Sequence, residues 1–322
     1  MSIAALPIKN RGVGILRRRL PAMLGLVLVA AACAPPAEPW RVDDEAFRAA
    51  RDRELREPDG WLAVAGLFFL RPGANTVGAD PESDVALPAG SAPATVGRLV
   101  LSDRGVRFEP APGVDSRLNA TPLAGAVDLR PGSRDGLRPA DRIAVGRVQF
   151  HLHVTGGRTA IRVRDPESAL RRDFRGTRWF PIEARWRLPA TFVPYAEPRV
   201  VQMPNLLGGT DATISRGEVV LAIDGHIVRL VAFEEDGKLW LVFRDATAPR
   251  ETYASRFLYA PMPGYEGRLV LDFNRVENPP CAYNPFTTCP LPVTQNRLAM
   301  RIPAGERLPE HVPEQANAPA QP

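Results

Sequence analysis

The 322-residue chain carries 41 lysines and arginines against 36 aspartates and glutamates, a formal net charge of +5 with a sequence pI near 9.5. The excess is local: Lys9, Arg11, Arg17, Arg18 and Arg19 fall within residues 1–32, which hold no acid, and the rest of the chain is balanced. A basic isoelectric point owned by the N-terminal segment excludes the broad positive face that nucleic-acid binding requires, and no nucleic-acid partner is expected.

That basic segment runs into an apolar stretch, Leu20 to Ala32, that stops at Cys33. It is too short to span a bilayer and has the layout of a secretory signal. Val29-Ala30-Ala31-Ala32-Cys33 resembles the lipobox of bacterial lipoproteins, with Ala30 where such boxes usually carry leucine. The resemblance implies a lipoprotein signal peptide over 1–32, acylation of Cys33, and attachment to a membrane through that lipid. Ala34 after the cysteine points to the periplasmic face of the outer membrane. Several acyl chains anchor a protein stably where one tethers it only reversibly. Residues 33–42, rich in proline, read as a tether.

Asp43, Asp44 and Glu45 can cap a helix that places Phe47, Ala50 and Leu55 along one side and ends at Pro58-Asp59-Gly60, which predicts one short helix within 43–60. From Trp61 the pattern changes to short apolar runs broken by Gly, Pro, Asn and Asp, the mark of a mainly β fold. Over 61–165 a β-sandwich is expected, with strands that include Arg98 to Ser102, Val106 to Glu109, Arg142 to Val145, Val148 to Val154 and Ala160 to Val163. In Gln149-Phe150-His151-Leu152-His153-Val154, strand alternation assigns Phe150, Leu152 and Val154 to the core and both histidines to solvent. Two histidines alone are too few to make a metal site. Val77-Gly78, Ser83 to Leu87, the turn at Asp103 to Gly105, and Leu137 to Phe150 with Asp141 to Gly146 make 73–154 similar to a forkhead-associated sandwich. The resemblance implies the fold alone. Ala79 and Ala92-Pro93 stand where that family's phosphothreonine reader needs an arginine and a Ser…His element.

Residues 166–308 read as a second antiparallel β-sheet or barrel-like domain carrying a Pro/Cys loop, and 309–322 as a disordered tail. At its start Arg171, Arg172, Arg175 and Arg178 interleave with Phe174, Trp179 and Phe180. The favoured reading is a connector whose aromatics pack and whose arginines pair with acids such as Asp173 and Glu183. A cradle for an anionic glycan or headgroup is the alternative. Asp224-Gly225 and Asp236-Gly237, set between the apolar runs 219–223, 227–233 and 239–243, predict a three-stranded meander with tight turns. His226 opens its middle strand.

The familiar catalytic signatures are absent: there is no G-x-S-x-G elbow, H-E-x-x-H, P-loop or dinucleotide fingerprint, and neither a metal nor a cofactor is expected. The candidate pocket is the polar constellation after the meander: Arg244, Asp245, Glu251, Tyr253, Arg256, Asp272, Asn274, Asn278, Tyr283, Asn284, Asn296, Arg297 and Glu306. Asn278 to Pro292 concentrates five prolines and two of the chain's three cysteines. A Cys281–Cys289 disulfide there adds roughly 2–3 kcal/mol in the chain-entropy account. A metal site would draw on His226, Asp272 or Glu306, and a catalytic Cys281 would need His226 as its base. An oxidising compartment favours the disulfide. The loop then reads as a rigid lid whose asparagines and Tyr283 line a pocket with Asp272 and Arg297.

Asp272-Phe273-Asn274, Asn278 to Ala282, Thr288 to Pro292, Asn296-Arg297-Leu298 and Ala304-Gly305-Glu306, with Trp61 to Gly78 earlier, closely resemble the bacterial family catalogued as domain of unknown function 1684, over Trp61 to Arg307. The resemblance implies membership and no activity. Val276-Glu277 and Ala254-Ser255 depart from the family's usual strings. The expectation is an envelope lipoprotein that binds a small polar or anionic ligand, or an envelope protein, at a pocket beside the Pro/Cys loop. A hydrolase using carboxylates of that pocket and a purely structural lipoprotein are the alternatives.

Overall fold

The computed structural model describes residues 38–132 and 138–313. The expected signal peptide, Cys33 and the start of the tether lie outside the described residues, as do Leu137 and the expected tail from 314 onward.

Helix α1 spans Pro39–Leu55 and so begins ahead of the acids expected to open it. Pro39 sits in the first turn, where its missing N–H leaves no helical bond unmade, and Glu38 gives no side-chain cap. The buried side is only partly the expected one: Leu55 is buried and Phe47 half-buried against Trp179, but Ala50 is exposed and the charged Asp44 and Arg51 are buried. Asp44 pairs with Arg275 at 2.6 Å, and Arg51 donates to the Asn278 carbonyl at 3.0 Å. A helix that docks through ion pairs leaves no apolar stripe to read.

The first half builds strands β1 (Val64–Phe69), β2 (Gly73–Gly78), β3 (Val85–Ala86), β4 (Gly97–Ser102), β5 (Gly105–Pro110), β6 (Ser116–Leu118), β7 (Thr121–Pro122), β8 (Val127–Leu129), β9 (Arg142–Val145), β10 (Val148–Thr155) and β11 (Arg158–Arg164). They form two sheets, ordered β1-β11-β10-β9-β6-β7 and β3-β2-β4-β5-β8. Val77, Leu99, Phe108, Ile143, Phe150 and Ile161 fill the space between them, with Phe108 edge-on to Phe150 at 5.5 Å. Inward alternation from both sheets makes a sandwich core. The histidine assignment needs correction. His151 and His153 are partly buried, because Trp61 and the Pro/Cys loop cover that face, whereas Val154, expected in the core, is 51% exposed.

Helix α2 (Ala169–Asp173) opens the connector. Its aromatics pack as expected: Phe174 meets Tyr283 edge-on at 5.8 Å, and Arg48 lies over Trp179 at 4.7 Å. Arg172 approaches Asp173 at 3.7 Å, but Glu183 pairs with Arg185 rather than with the four interleaved arginines.

The second half contributes β12 (Arg187–Pro204), β13 (Thr210–Ile223), β14 (His226–Glu235), β15 (Lys238–Phe243), β16 (Arg256–Pro261) and β17 (Arg268–Asp272), in one antiparallel sheet ordered β16-β15-β14-β13-β12-β17. Its two end strands, β16 and β17, touch, so the sheet curls nearly shut around Val219, Leu230, Leu241, Leu258 and Phe273. The meander is present. Both turn pairs have positive φ, 48° and 81° at Asp224-Gly225 and 49° and 70° at Asp236-Gly237, as a type I′ turn requires. Cys281 and Cys289 form a disulfide, with Cα atoms 6.1 Å apart.

Candidate functional site

The candidate pocket residues lie close together, but their polar atoms are largely committed to holding the backbone. Asp245 and Arg256 make an ion pair of 3.0 Å with no exposed side-chain surface. Ile302 N–H and the Thr247 hydroxyl also donate to Asp245, at 2.6 and 2.8 Å, and Arg256 donates to the carbonyls of Ile302 and Ala304. A pair this deep persists only when its remaining hydrogen-bonding capacity is filled. Asn296 accepts from Val231 N–H at 2.8 Å and donates to the Val231 and Val242 carbonyls at 3.0 and 2.9 Å, where the β14–β15 ladder has ended. Asn274 clasps both backbone groups of Glu183, and Asp272 pairs with Arg187 at 2.8 Å. Asn284 donates to the carbonyls of Trp61 and Val64 at 2.9 and 2.7 Å and so fastens the Pro/Cys loop to the first half.

Behind the loop lies Glu306, fully buried. It accepts from Asn278 N–H at 2.6 Å and from the Tyr283 hydroxyl. Burial pushes its carboxyl up to about 7, against the opposing pull of Arg51, Tyr283 and Asn278. Burial likewise pushes the Tyr253 phenol up to about 12. Glu251 pairs with Arg301 at 2.7 Å, Arg244 donates through its backbone to Asn296 at 3.0 Å, and the exposed Arg297 donates to the Pro292 carbonyl at 3.2 Å. The asparagines and Tyr283 thus brace the loop from behind and do not line an opening.

The opening is on the loop's other side. A groove of about 520 Å³, within the range of small-molecule sites, runs between the loop, α1, the outer face of β14 to β16, and the outer face of β10 and β11. The loop contributes Pro280, Thr287, Thr288, Cys289 and Pro290, and Cys289 alone among the sequence-picked residues reaches the groove.

On the wall from the first half, Arg162 is 6% exposed and stacks 5.3 Å from Trp61. It donates to His153 Nε2 at 3.0 Å, and Thr288 Oγ1 lies 3.0 Å from the same nitrogen. A guanidinium only donates, so that nitrogen is an acceptor and the imidazole is neutral. Burial first, then Arg162 and His151, hold His153 down at about 3. Among the described residues no carboxylate lies within ion-pair distance of Arg162, and its Nε–H has no acceptor. Burial, with Arg164 second, pushes this guanidinium down to about 9.

The opposite wall is acidic and aromatic. Arg51 is shared between Glu54 at 3.2 Å and Glu277 at 3.6 Å, and the Tyr259 hydroxyl donates to Glu235 at 2.6 Å. Burial raises the carboxyl of Glu277 despite Arg51, and raises that of Glu235 as well. Trp240 stacks on Tyr259 at 6.4 Å, and its buried Nε1–H has no acceptor among the described residues.

Residues 172–307 match the model of the family described as protein of unknown function (DUF1684). The match is narrower than the span Trp61 to Arg307 expected from the sequence. The DUF1684 segment supplies the barrel-like sheet, the Pro/Cys loop and the acidic wall, whereas α1, His153 and Arg162 precede it. A solution structure of an uncharacterised protein of Haloarcula marismortui is 28% identical, covering 42% of this chain and 78% of that one, with a TM-score of 0.36. The FHA-2 domain of a Mycobacterium tuberculosis ABC transporter is 21% identical, covering 29% and 77%, with a TM-score of 0.22. Comparison with curated proteins gives no match.

Sequence reasoning passed over most of the groove. One signal was available: β10 and β11 together put His151, His153, Arg162 and Arg164 on one face, with His151 opposite Arg162 in register. So many bulky polar groups on one face of a hairpin mark a face that something covers. Glu277 was likewise noticed only as a departure from the family strings.

Proposed function

We propose that the protein is an envelope lipoprotein whose groove binds a small ligand through an anionic group seated on Arg162. The observation that carries this reading is a buried guanidinium on the wall of a cavity of ligand size with, among the described residues, no carboxylate partner. A buried charge is costly unless paired, and an incoming anion supplies the missing partner. His153, itself held by Thr288, fixes the guanidinium at one edge without neutralising its charge.

A hydrogen bond to a charged group contributes about 1.5–3 kcal/mol. Arg162→Gln should therefore weaken an anionic ligand by roughly 10- to 100-fold. Thermal-shift titrations with a panel of small carboxylates and phosphates are expected to stabilise the wild-type protein and not the variant. An equal response in both would sink the reading.

The lipoprotein part of the proposal rests on the Val29 to Cys33 string. Intact-mass measurement of protein extracted from envelopes should show an N-terminus at Cys33 bearing acyl chains, and no free thiol at Cys281 or Cys289. An unmodified N-terminus elsewhere would overturn it.

A further inference from the structure

The groove separates two walls of opposite charge, and we infer that its ligand is a zwitterion of amino-acid or short-peptide size, with its anionic group on Arg162 and its cationic group on Glu277. This inference rests on the anion-binding reading above and adds the second charge.

Arg162 and Glu277 line one cavity, yet no ion pair joins them. Each wall keeps its own imbalance. On the Arg162 side the neighbouring ring of His153 is neutral, and the closest other charge, Arg164, has the same sign. On the facing side Glu54, Glu235, Asp236 and Glu277 stand against Arg51 and Lys238. Arg51 cannot neutralise Glu277 alone, since it is divided between Glu54 and Glu277 and spends a further N–H on the Asn278 carbonyl. Opposite charges that line the same cavity without meeting are completed together by a molecule of the reverse polarity.

Simpler ligands meet only half of this requirement. A plain anion would satisfy Arg162 but face the acidic wall across the groove. A plain cation would pair with Glu277 and leave Arg162 buried without a counter-charge, the more costly state in a low-dielectric site. Trp240 and Tyr259 lie stacked beside the acids, and their ring faces favour an ammonium group.

The test uses the full-length protein and a casein hydrolysate as the source of free amino acids and short peptides. Native mass spectrometry should capture one or more components from it. The captured compound is then compared by calorimetry with its deaminated and decarboxylated analogues, each expected to bind at least about tenfold more weakly. Glu277→Gln should bring the parent compound down to the affinity of its deaminated analogue while leaving that analogue unchanged. Should that variant fail to fold, the comparison of the parent with its deaminated analogue on the wild-type protein decides by itself. Capture of nothing from the hydrolysate overturns the inference, and so does a deaminated analogue that binds as well as its parent, in which case the anion-binding reading stands. Wild-type binding in Arg162→Gln removes that reading and the inference with it.

Discussion

Asp245→Ala is expected to destabilise the fold by about 3–5 kcal/mol, the range for removing one partner of a buried ion pair. Among the described residues the carboxylate is the only acid paired with Arg256, whose side chain has no exposed surface. Without it, the guanidinium would keep its carbonyl partners at Ile302 and Ala304 and its position over the Phe243 ring at 5.4 Å, but it would carry an uncompensated charge inside the protein. Ile302 N–H would lose its acceptor in the same step, and the Thr247 hydroxyl would turn to Thr252 alone. Replacing both partners, as in Asp245→Ala with Arg256→Met, should cost less than the two single changes combined, because the second change removes the charge that the first one strands. Urea denaturation of the four proteins measures this directly. A loss below about 1 kcal/mol in the aspartate variant would contradict the assignment, since a broken buried pair costs several times that.

Glu306 should make the protein lose stability as pH rises. Its carboxyl is raised from 4.5 to about 7 in the fold, chiefly by burial. Between those values the folded state holds a proton that the unfolded chain releases, so stability falls with rising pH. The contribution is fully present below the unfolded value and lost once pH has passed the folded one, a difference of about 3 kcal/mol at 1.36 kcal/mol per unit. Asp272 and Glu277, whose carboxyls are also raised, act in the same direction and His151 and His153, held low by burial, in the opposite one, so only the difference between wild type and Glu306→Gln isolates the effect. Glutamine can still accept from Asn278 N–H without ever ionising. Between pH 5 and pH 8 the unfolding free energy of wild type should therefore fall relative to that of the variant. Equal pH dependence in the two proteins would refute the assignment. The consequence reaches the groove as well, since Glu306 braces Asn278 and Tyr283, which back the Pro/Cys loop.

Local chemistry made much of the architecture legible. The Asp-Gly pairs at 224–225 and 236–237 admit the positive φ their turns need, and the meander lies between them. Alternation in Val148–Thr155 put Phe150 and Leu152 inward correctly. Each of these inferences concerns a residue and its immediate neighbours along the chain.

The candidate site was legible only in part, and the reason is physical. Asn274, Asn278, Asn284 and Asn296 are short amides that can satisfy a ligand or the backbone of an irregular loop equally well. Only the packed structure shows that they bond to Glu183, Arg307, Trp61 and Val231. Strand alternation divides a strand into two faces but does not say what covers the second one, so His151 and His153 read as solvent-facing until Trp61 and Thr288 close over that face. Helix α1 docks through Asp44 and Arg51, charged residues whose burial depends on Arg275 and Glu277, more than two hundred positions away. The sequence by itself determined the β class and the turns, because those rest on short-range conformational preference. The tertiary structure alone decided where the groove lies and which charges face it, because opposed walls come from segments that share no local pattern and meet only when the sheets pack.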